Sequence, residues 1–466
     1  MERQDERDKY LETLFDNLFF SQWKEGSDNP IRKNIEFQVT YTCNLSCKYC
    51  YVNRHGNDLY PKEIRDKDKI IENLKKVIDW IDINKYKIKN WNIFSGSFFS
   101  QEIGFMFMDA MYDKLKKVKN KEIYPKVISI PTNLTFILDD ETTKKVENII
   151  EKFKKIGIRV HLSCSVEGKY MEQNRPFKGN LELGNEEGKH LFVPKEKEPR
   201  DDEYYEKVFQ FVSKWGYGFH PMIYSKDINK WKENFIWFQK MFKKYNINHD
   251  SIFLLEVRNV EWSNKQLRDL KEFIKFVYKW VFENIADRKK EKMVQLLENR
   301  DTINLIYSPL GSKRNKGMPC SIQSDMQIRM GDLHLVPCHR ASYNGYEYGK
   351  FKTTEGSITG LEAINVEMAT SIYSLNHESF PHCMTCPIKS ICNKSCLGAN
   401  METEGDPFTV NPKVCQLNNT KVSAVAEALV DLGIFYKVMS RLSNNQKQAF
   451  KLLRDEYLGK EGEKDG

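Results

Sequence analysis

Ten of the eleven cysteines of this 466-residue chain lie in two groups, Cys43, Cys47 and Cys50 in one short stretch, and Cys320, Cys338, Cys383, Cys386, Cys392, Cys396 and Cys415 in the last third. The sequence opens Met1-Glu2-Arg3-Gln4-Asp5-Glu6-Arg7 with no apolar export segment, so a cytoplasmic chain with reduced thiols is expected. Clustered reduced thiols point to metal or iron–sulfur ligation before disulfides. The first group has C-x3-C-x2-C spacing. Three thiolates in one loop can hold three irons of a cubane and leave the fourth open to an exogenous ligand, whereas structural zinc takes four ligands and rarely uses this spacing. In the second group, Cys383-x2-Cys386 would suit a zinc knuckle, but the x5 and x3 gaps to Cys392 and Cys396 do not. Cys164 stands alone and reads as a buried apolar side chain.

Around these cysteines the pattern is that of a large α/β protein. With 40% apolar and 12% aromatic residues the chain is too hydrophobic for disorder, and 30% charged residues with a mean hydropathy of −0.62 exclude a polytopic membrane protein. The net charge of +8, from 73 basic and 65 acidic residues spread along the chain, reads as a solvated lysine-rich surface and not a nucleic-acid footprint. Residues 1–33 hold one amphipathic helix, with Tyr10, Leu11, Leu14, Phe15, Leu18 and Phe19 at helical spacing, too short for an independent binding domain. From 34 to 310, β-like runs (Ile35 to Thr40, Trp91 to Phe94, Val127 to Pro131, Val160 to Cys164, Gly218 to Ile223, Ile252 to Val257) alternate with helices such as Lys69 to Ile81 and Glu141 to Ile156. Six such units predict a partial (β/α)6 barrel with its functional groups at the C-terminal ends of the strands.

An insertion at about 176–200 is read as a hairpin, either a plain surface excursion or a flap touching substrate. Residues 311–419 are expected to form a small domain stapled by the second cysteine group, and 420–466 to give helices at Thr420 to Met439 and Asn444 to Leu458 with a disordered polar tail from Gly459.

The run Cys43-Asn44-Leu45-Ser46-Cys47-Lys48-Tyr49-Cys50, directly after the first strand, resembles the signature of the radical S-adenosylmethionine (SAM) superfamily, including the aromatic Tyr49. The resemblance implies a [4Fe–4S] cluster on Cys43, Cys47 and Cys50 with SAM on its open iron. It further implies reductive cleavage of SAM to a 5′-deoxyadenosyl radical and hydrogen abstraction from a substrate carbon. After the second strand, Ser95-Gly96-Ser97-Phe98 stands where the family has Gly-Gly-Glu-Pro, so a neutral Ser97 replaces the usual acid and Ser95 and Ser97 are the implied acceptors for the methionine ammonium. Thr132-Asn133-Leu134 resembles the family's Thr-Asn-Gly, and Ser165-Val166-Glu167-Gly168 with Arg175 resembles Ser-x-Asp-Gly followed by a basic residue. Asn133, Ser165, Glu167 and Arg175 are thereby implied SAM contacts, although each short motif is equally compatible with a turn.

The seven later cysteines resemble the SPASM extension of peptide-modifying and sulfatase-maturating radical SAM enzymes, which holds two auxiliary [4Fe–4S] clusters. By that kinship Cys320, Cys338 and Cys396 would hold one cluster, lacking a fourth cysteine, and Cys383, Cys386, Cys392 and Cys415 the other. His339 sits where sulfatase-maturating relatives carry a proton-accepting aspartate; it reads either as that catalytic base or as a plain hydrogen-bonded histidine, and His377 and His382 flank the cysteines. The implied function is a ribosomal peptide maturase forming a thioether or carbon–carbon crosslink, an oxidoreductase with three clusters in all. The alternatives are oxidation of Cys or Ser to formylglycine and, from another class, a non-catalytic zinc or iron–sulfur scaffold. Expected partners are a peptide or protein substrate, an electron donor such as flavodoxin or ferredoxin and a separate leader-peptide-binding protein, with neither nucleic acid nor membrane.

Overall fold

A computed structural model describes residues 2–16, 34–52, 66–178, 198–298, 309–310, 322, 325–342, 345–375, 379–392 and 396–462. Helix α1 (Glu2–Phe15) precedes strand β1 (Asn34–Thr40), followed by α2 (Lys67–Ile83), β2 (Asn90–Ser95), α3 (Glu102–Lys117), β3 (Val127–Thr132), α4 (Asp140–Lys155), β4 (Arg159–Cys164) and α5 (Asp202–Trp215). Then come β5 (Gly218–Phe219), β6 (Met222–Ile223), α6 (Trp231–Lys244), β7 (Leu255–Glu256), α7 (Asn264–Asn284) and α8 (Lys290–Glu298). Strands β8 (Asp325–Arg329), β9 (His334–Val336), β10 (Gly349–Thr354) and β11 (Ser357–Ala363) lead to helices α9 (Val366–Ser374), α10 (Pro381–Met384), α11 (Leu397–Glu404), α12 (Pro412–Asp431), α13 (Phe435–Met439) and α14 (Asn444–Gly462).

The chain divides into two compact units, residues 1–165, 173–211 and 321–374 in the first and 166–172, 212–320 and 375–466 in the second. This differs from the expected boundary at residue 311. The reason is β8, whose Met326 and Ile328 continue the apolar alternation, so that it pairs in parallel beside β1 with Phe37 opposite Ile328. The stretch 321–374 therefore belongs with the first unit's sheet.

In that unit β1, β2, β3 and β4 run parallel in sequence order, while β8, β9, β10 and β11 follow one another in antiparallel pairs on the other side of β1. Alternation separates the two faces. Ile35, Phe37, Trp91, Ile93, Ile128, Ile130, Val160 and Leu162 are all buried, and Phe37 meets Phe107 of α3 edge to face with 6.0 Å between ring centroids. Each such side chain contributes about 1.5–3 kcal/mol by leaving water. Helices α2 and α4 form for local reasons: Asp66 and Asp139 cap their first turns by accepting N–H bonds from Lys69 and Thr142, and Ile70, Leu74, Val77, Ile78 or Val146, Ile149, Ile150, Phe153 give one apolar stripe. Helix α1 lies along β11: Asp8 accepts the Ala363 N–H at 2.7 Å, Glu12 accepts that of Leu361 at 3.0 Å, and Phe15 stacks on Tyr348. It thus covers an otherwise open sheet edge.

In the second unit, the fifth expected run splits at Pro221, which has no N–H for a ladder, into β5 and β6. The sixth shrinks to β7, paired in parallel with β6, plus a single bridge between Phe219 and Ile252. The expected helix Thr420 to Met439 begins earlier, at Pro412 behind an Asn411 cap, and breaks at Gly433, whose φ of +62° ends α12. Helix α14 runs to Gly462, so the stretch after Gly459, expected to be disordered, is helical over its first residues. A buried Lys421–Glu256 pair at 2.7 Å and the contacts of Lys271 and Lys275 with Glu427 fix α12 to β7 and α7. Among the described residues no helix is long and apolar enough to cross a membrane.

Candidate functional site

The first cysteine group occupies the loop leaving the C-terminal end of β1, and its shape is set by two neighbouring segments of the same unit. Residues 174–178 pair with it like a short added strand: Ser46 N–H donates to the Pro176 carbonyl at 2.8 Å, Lys48 N–H to Asn174 at 2.9 Å and Lys178 N–H to Asn44 at 3.0 Å, around a bridge between Leu45 and Phe177. The loop after β2 approaches from the other side, with Gly96 and Ser97 N–H groups donating to the carbonyls of Thr40 and Thr42. That approach requires glycine, because a Cβ at position 96 would stand 2.3 Å from the Thr42 carbonyl oxygen.

Beneath the loop is a buried polar network. Asn44 donates to Thr135 Oγ1 at 2.9 Å and accepts from Asn133 at 3.0 Å; Asn133 in turn accepts from Thr135 and donates to Ser97 Oγ at 3.3 Å; Ser97 donates to Ser100 at 2.8 Å. Ser97, expected as an acceptor for SAM, therefore commits its hydrogen to Ser100 and one lone pair to Asn133. Asn133 also points its amide at the Cys43 sulfur, 4.0 Å away, and the Leu45 N–H donates to the same sulfur at 3.4 Å. Leu134 keeps the left-handed backbone, φ +56°, that a glycine would adopt in the Thr-Asn-Gly motif. Ser95 is buried, and its Oγ has no hydrogen-bond partner among the described residues. Tyr49, Gly96 and Ser165 lie in the loops after β1, β2 and β4, and Ser165 N–H extends the β3–β4 pairing by donating to Thr132 at 2.7 Å.

Burial pushes the Cys43 thiol up and the Cys47 thiol up to about 12, with Arg175 beside Cys47 and Lys178 near Cys43 pulling the other way. Arg175, implied as a SAM contact, is buried and hydrogen-bonds toward Cys47. Arg200, which no sequence motif singles out, holds the Arg175 carbonyl at 3.0 Å and lies over the Phe177 ring. Glu167 belongs to the second unit, where its carboxylate takes the Met222 N–H at 3.2 Å, Asn234 binds its carbonyl, and Gly168, at φ +95°, leaves no room for a Cβ against Asn234.

His339 lies flat on Phe94, 4.6 Å apart with 7° between planes, and its Nδ1 is 3.3 Å from Glu36 Oε1. Arg340 covers the ring of Tyr51, the residue after Cys50. Glu36 belongs to a polar row that crosses the first unit's sheet in register, Gln327, Glu36, Asn92, Ser129 and His161. Burial lowers His161 to about 4, with Arg159 adding to the shift, so it is neutral at ordinary pH. Polar residues alternating with apolar ones along the five strands of the row were the available signal for it.

The ten described cysteines are all free thiols; Cys320, the insertion residues 179–197 and His377 lie outside the described residues. In the second unit Cys383 lies within the single turn of α10, Cys396 is the N-cap of α11 and Cys415 lies in the first turns of α12. Burial raises the Cys383 and Cys415 thiols, with nearby Cys415 and Cys386 raising the first further and Cys386 the second. Cys338 is buried in the first unit and Cys164 is fully buried. Among the described residues no three metal-ligating side chains converge as one ion would need. A four-iron cluster gives each thiolate its own iron, and three cysteines in a loop flanked by the cations Arg175 and Lys178 and by the Leu45 N–H fit that donor set.

Residues 37–168 match the Radical SAM superfamily. No curated protein matches the chain by sequence. Among solved structures, native anSMEcpe with bound AdoMet superposes with a TM-score of 0.52 at 14% identity, over 86% of this chain and 98% of that one. The hexahistidine-tagged form of anSMEcpe with bound AdoMet gives 0.51 at 15% identity, over 85% and 98%. SuiB of Streptococcus suis bound to S-adenosylmethionine gives 0.45 at 14%, over 83% and 76%. Residues 37–168 are thus a Radical SAM domain within a chain of α/β fold, and that domain implies one [4Fe–4S] cluster and SAM.

Proposed function

We propose that this radical SAM enzyme is a SPASM-type peptide maturase that removes hydrogen from a carbon of a ribosomal peptide and leaves a thioether or carbon–carbon crosslink. The observation that carries the reading is the locked loop: Cys43, Cys47 and Cys50 are held at the end of β1 by backbone bonds to 174–178 and by the Asn44–Asn133 network. When bound, the cluster and SAM supply the radical that breaks the substrate C–H bond.

The protein's own groups define the rest. Cys43, Cys47 and Cys50 would each hold one iron. The raised proton affinity of Cys43 and Cys47 means that loading releases hydrogen ions, which the cations Arg175 and Lys178 favour. Asn133 and the Leu45 N–H orient the Cys43 sulfur, and Tyr49, Ser95, Gly96, Ser97, Ser165, Glu167 and Arg175 are the proposed SAM-side residues. Of these, Ser95 has the unengaged buried hydroxyl and Ser97 only a remaining lone pair. Cys383, Cys386, Cys392 and Cys415 are the proposed ligands of one auxiliary cluster and Cys320, Cys338 and Cys396 of another, a route for the electron that must leave the product radical. His339, steadied by Glu36 and Phe94, is the proposed acceptor of the accompanying proton. The polar row from Gln327 to His161 gives that face of the sheet hydrogen-bonding groups of the kind that pair with peptide amides and polar side chains. The electron donor is proposed to be a flavodoxin or ferredoxin, and a separate protein to bind the leader.

The test is metal and product analysis of protein purified without oxygen. Roughly twelve irons per chain, with matching sulfide, and 5′-deoxyadenosine formed from SAM and a strong reductant are expected. About four irons with zinc would remove the auxiliary clusters from the reading.

A further inference from the structure

We propose that His382 donates its Nε2–H to the sulfur of Cys415 and thereby raises the reduction potential of the auxiliary cluster in the second unit. This rests on the reading of Cys383, Cys386, Cys392 and Cys415 as a cluster site.

His382 Nε2 stands 3.9 Å from Cys415 Sγ. Its place is fixed by the turn that also presents Cys383: the carbonyl of buried Phe380 accepts the N–H groups of Cys383 at 2.9 Å and Met384 at 3.2 Å, so residues 381–384 form one closed helical turn. His382 is exposed to solvent, yet its ring nitrogen is directed at a sulfur. The other side of the contact is just as fixed. Asn411 caps α12, accepting from Lys413 N–H at 2.9 Å, and its own N–H is held by buried Asn400 at 3.1 Å, so Cys415 is set in the opening turns of a 20-residue helix.

A cluster-bound cysteine is a thiolate, and a thiolate can only accept a hydrogen bond. With sulfur as acceptor, the hydrogen must be on His382 Nε2. Such a bond favours the cluster state with more negative charge, which is the reduced one, and so raises the potential. The positive end of α12 acts on the same sulfur in the same sense. The histidine contact falls on Cys415, which the neighbouring Cys383 and Cys386 sulfurs approach as like charges.

The experiment is an anaerobic redox titration of the full-length reconstituted protein followed by electron paramagnetic resonance, with Cys415→Ser used to identify the signal of this cluster. His382→Ala is expected to move that signal's midpoint to lower potential with iron content unchanged, and His382→Gln, which keeps a donor at similar reach, to restore much of the shift. The other signals should not move. Full iron with an unshifted midpoint in His382→Ala overturns the proposal while leaving the cluster in place. Loss of the cluster's irons in both variants makes His382 a ligand and also overturns it. A wild-type protein with no signal sensitive to Cys415→Ser takes down the cluster reading and this inference together.

Discussion

The two cysteine groups are built by opposite means. The first lies on a loop that borrows its rigidity: a bridge from residues 174–178, a glycine contact from the β2 loop and a buried network of amides and hydroxyls from Asn44 to Ser100. The second is carried largely at helix starts, Cys383 on α10, Cys396 before α11 and Cys415 in α12, where the backbone itself presents N–H groups to an anion. The first arrangement uses buried hydrogen bonds to shape the loop proposed to carry the SAM-binding cluster. The second, in which Cys383, Cys386, Cys392 and Cys415 are proposed as one complete ligand set, relies on ordinary helix ends.

The largest expected effect separates the two by function. Replacing Cys43, Cys47 and Cys50 with alanine should abolish 5′-deoxyadenosine formation, measured by chromatography, and remove about four irons per chain. Replacing Cys383, Cys386 and Cys415 should also remove about four irons but leave SAM cleavage measurable while stopping crosslink formation. Equal loss of SAM cleavage in both triple variants would break the comparison.

The next effect concerns how the second group is anchored. Lys421→Ala leaves Glu256 buried without its cation, and denaturant unfolding should show a loss of about 3–5 kcal/mol. The second unit should respond more strongly to it than to any single cap substitution on α11 or α12.

An acid limb should follow from histidines held neutral. Burial lowers His161 in the first unit and His220 in the second to about 4, against about 6.5 for a histidine in the unfolded chain. The unfolded chain therefore takes up protons first as pH falls, so stability is full above about pH 6.5 and is lost between about pH 6.5 and 4, by up to roughly 3 kcal/mol per histidine. Unfolding free energies of His161→Gln should depend less on pH over that window; an unchanged slope would show that His161 does not supply the limb.

The smallest effect tests the borrowed rigidity. Asn44→Ala strands the partners it holds, Asn133 and Thr135, and should cost about 1–3 kcal/mol. It should also slow cluster loading at the first loop while leaving that of the second unchanged, as followed by absorbance during anaerobic reconstitution.

Much of this was legible along the chain. Short-range signals did well: the β1 to β4 runs appear at their expected ends to within about one residue, and α2 and α4 to within about two, because capping aspartates and alternating apolar residues act over a few positions. The later elements were harder, since Pro221 and Gly433 interrupt runs whose hydrophobicity alone reads as continuous. The membership of residues 321–374 in the first unit was not legible, because parallel pairing of β8 with β1 joins strands from opposite ends of the chain, Asn34 facing Asp325. Nor could the motifs show that Ser97 is engaged by Ser100 and Asn133, or that Arg175 turns toward Cys47.

By itself the sequence determined the chemistry available to this protein. Cysteine spacing is the ground for the proposed thiolate ligation of iron, because the number and separation of sulfurs within a loop are properties of the local chain, and strand alternation selects the sheet's apolar face for the same reason. Only the tertiary structure decided which polar groups remain for a ligand. Whether a hydroxyl, amide or guanidinium can bind something depends on the hydrogen-bond partners that folding brings to it, and those of Ser97, Arg175 and Glu36 come from distant segments.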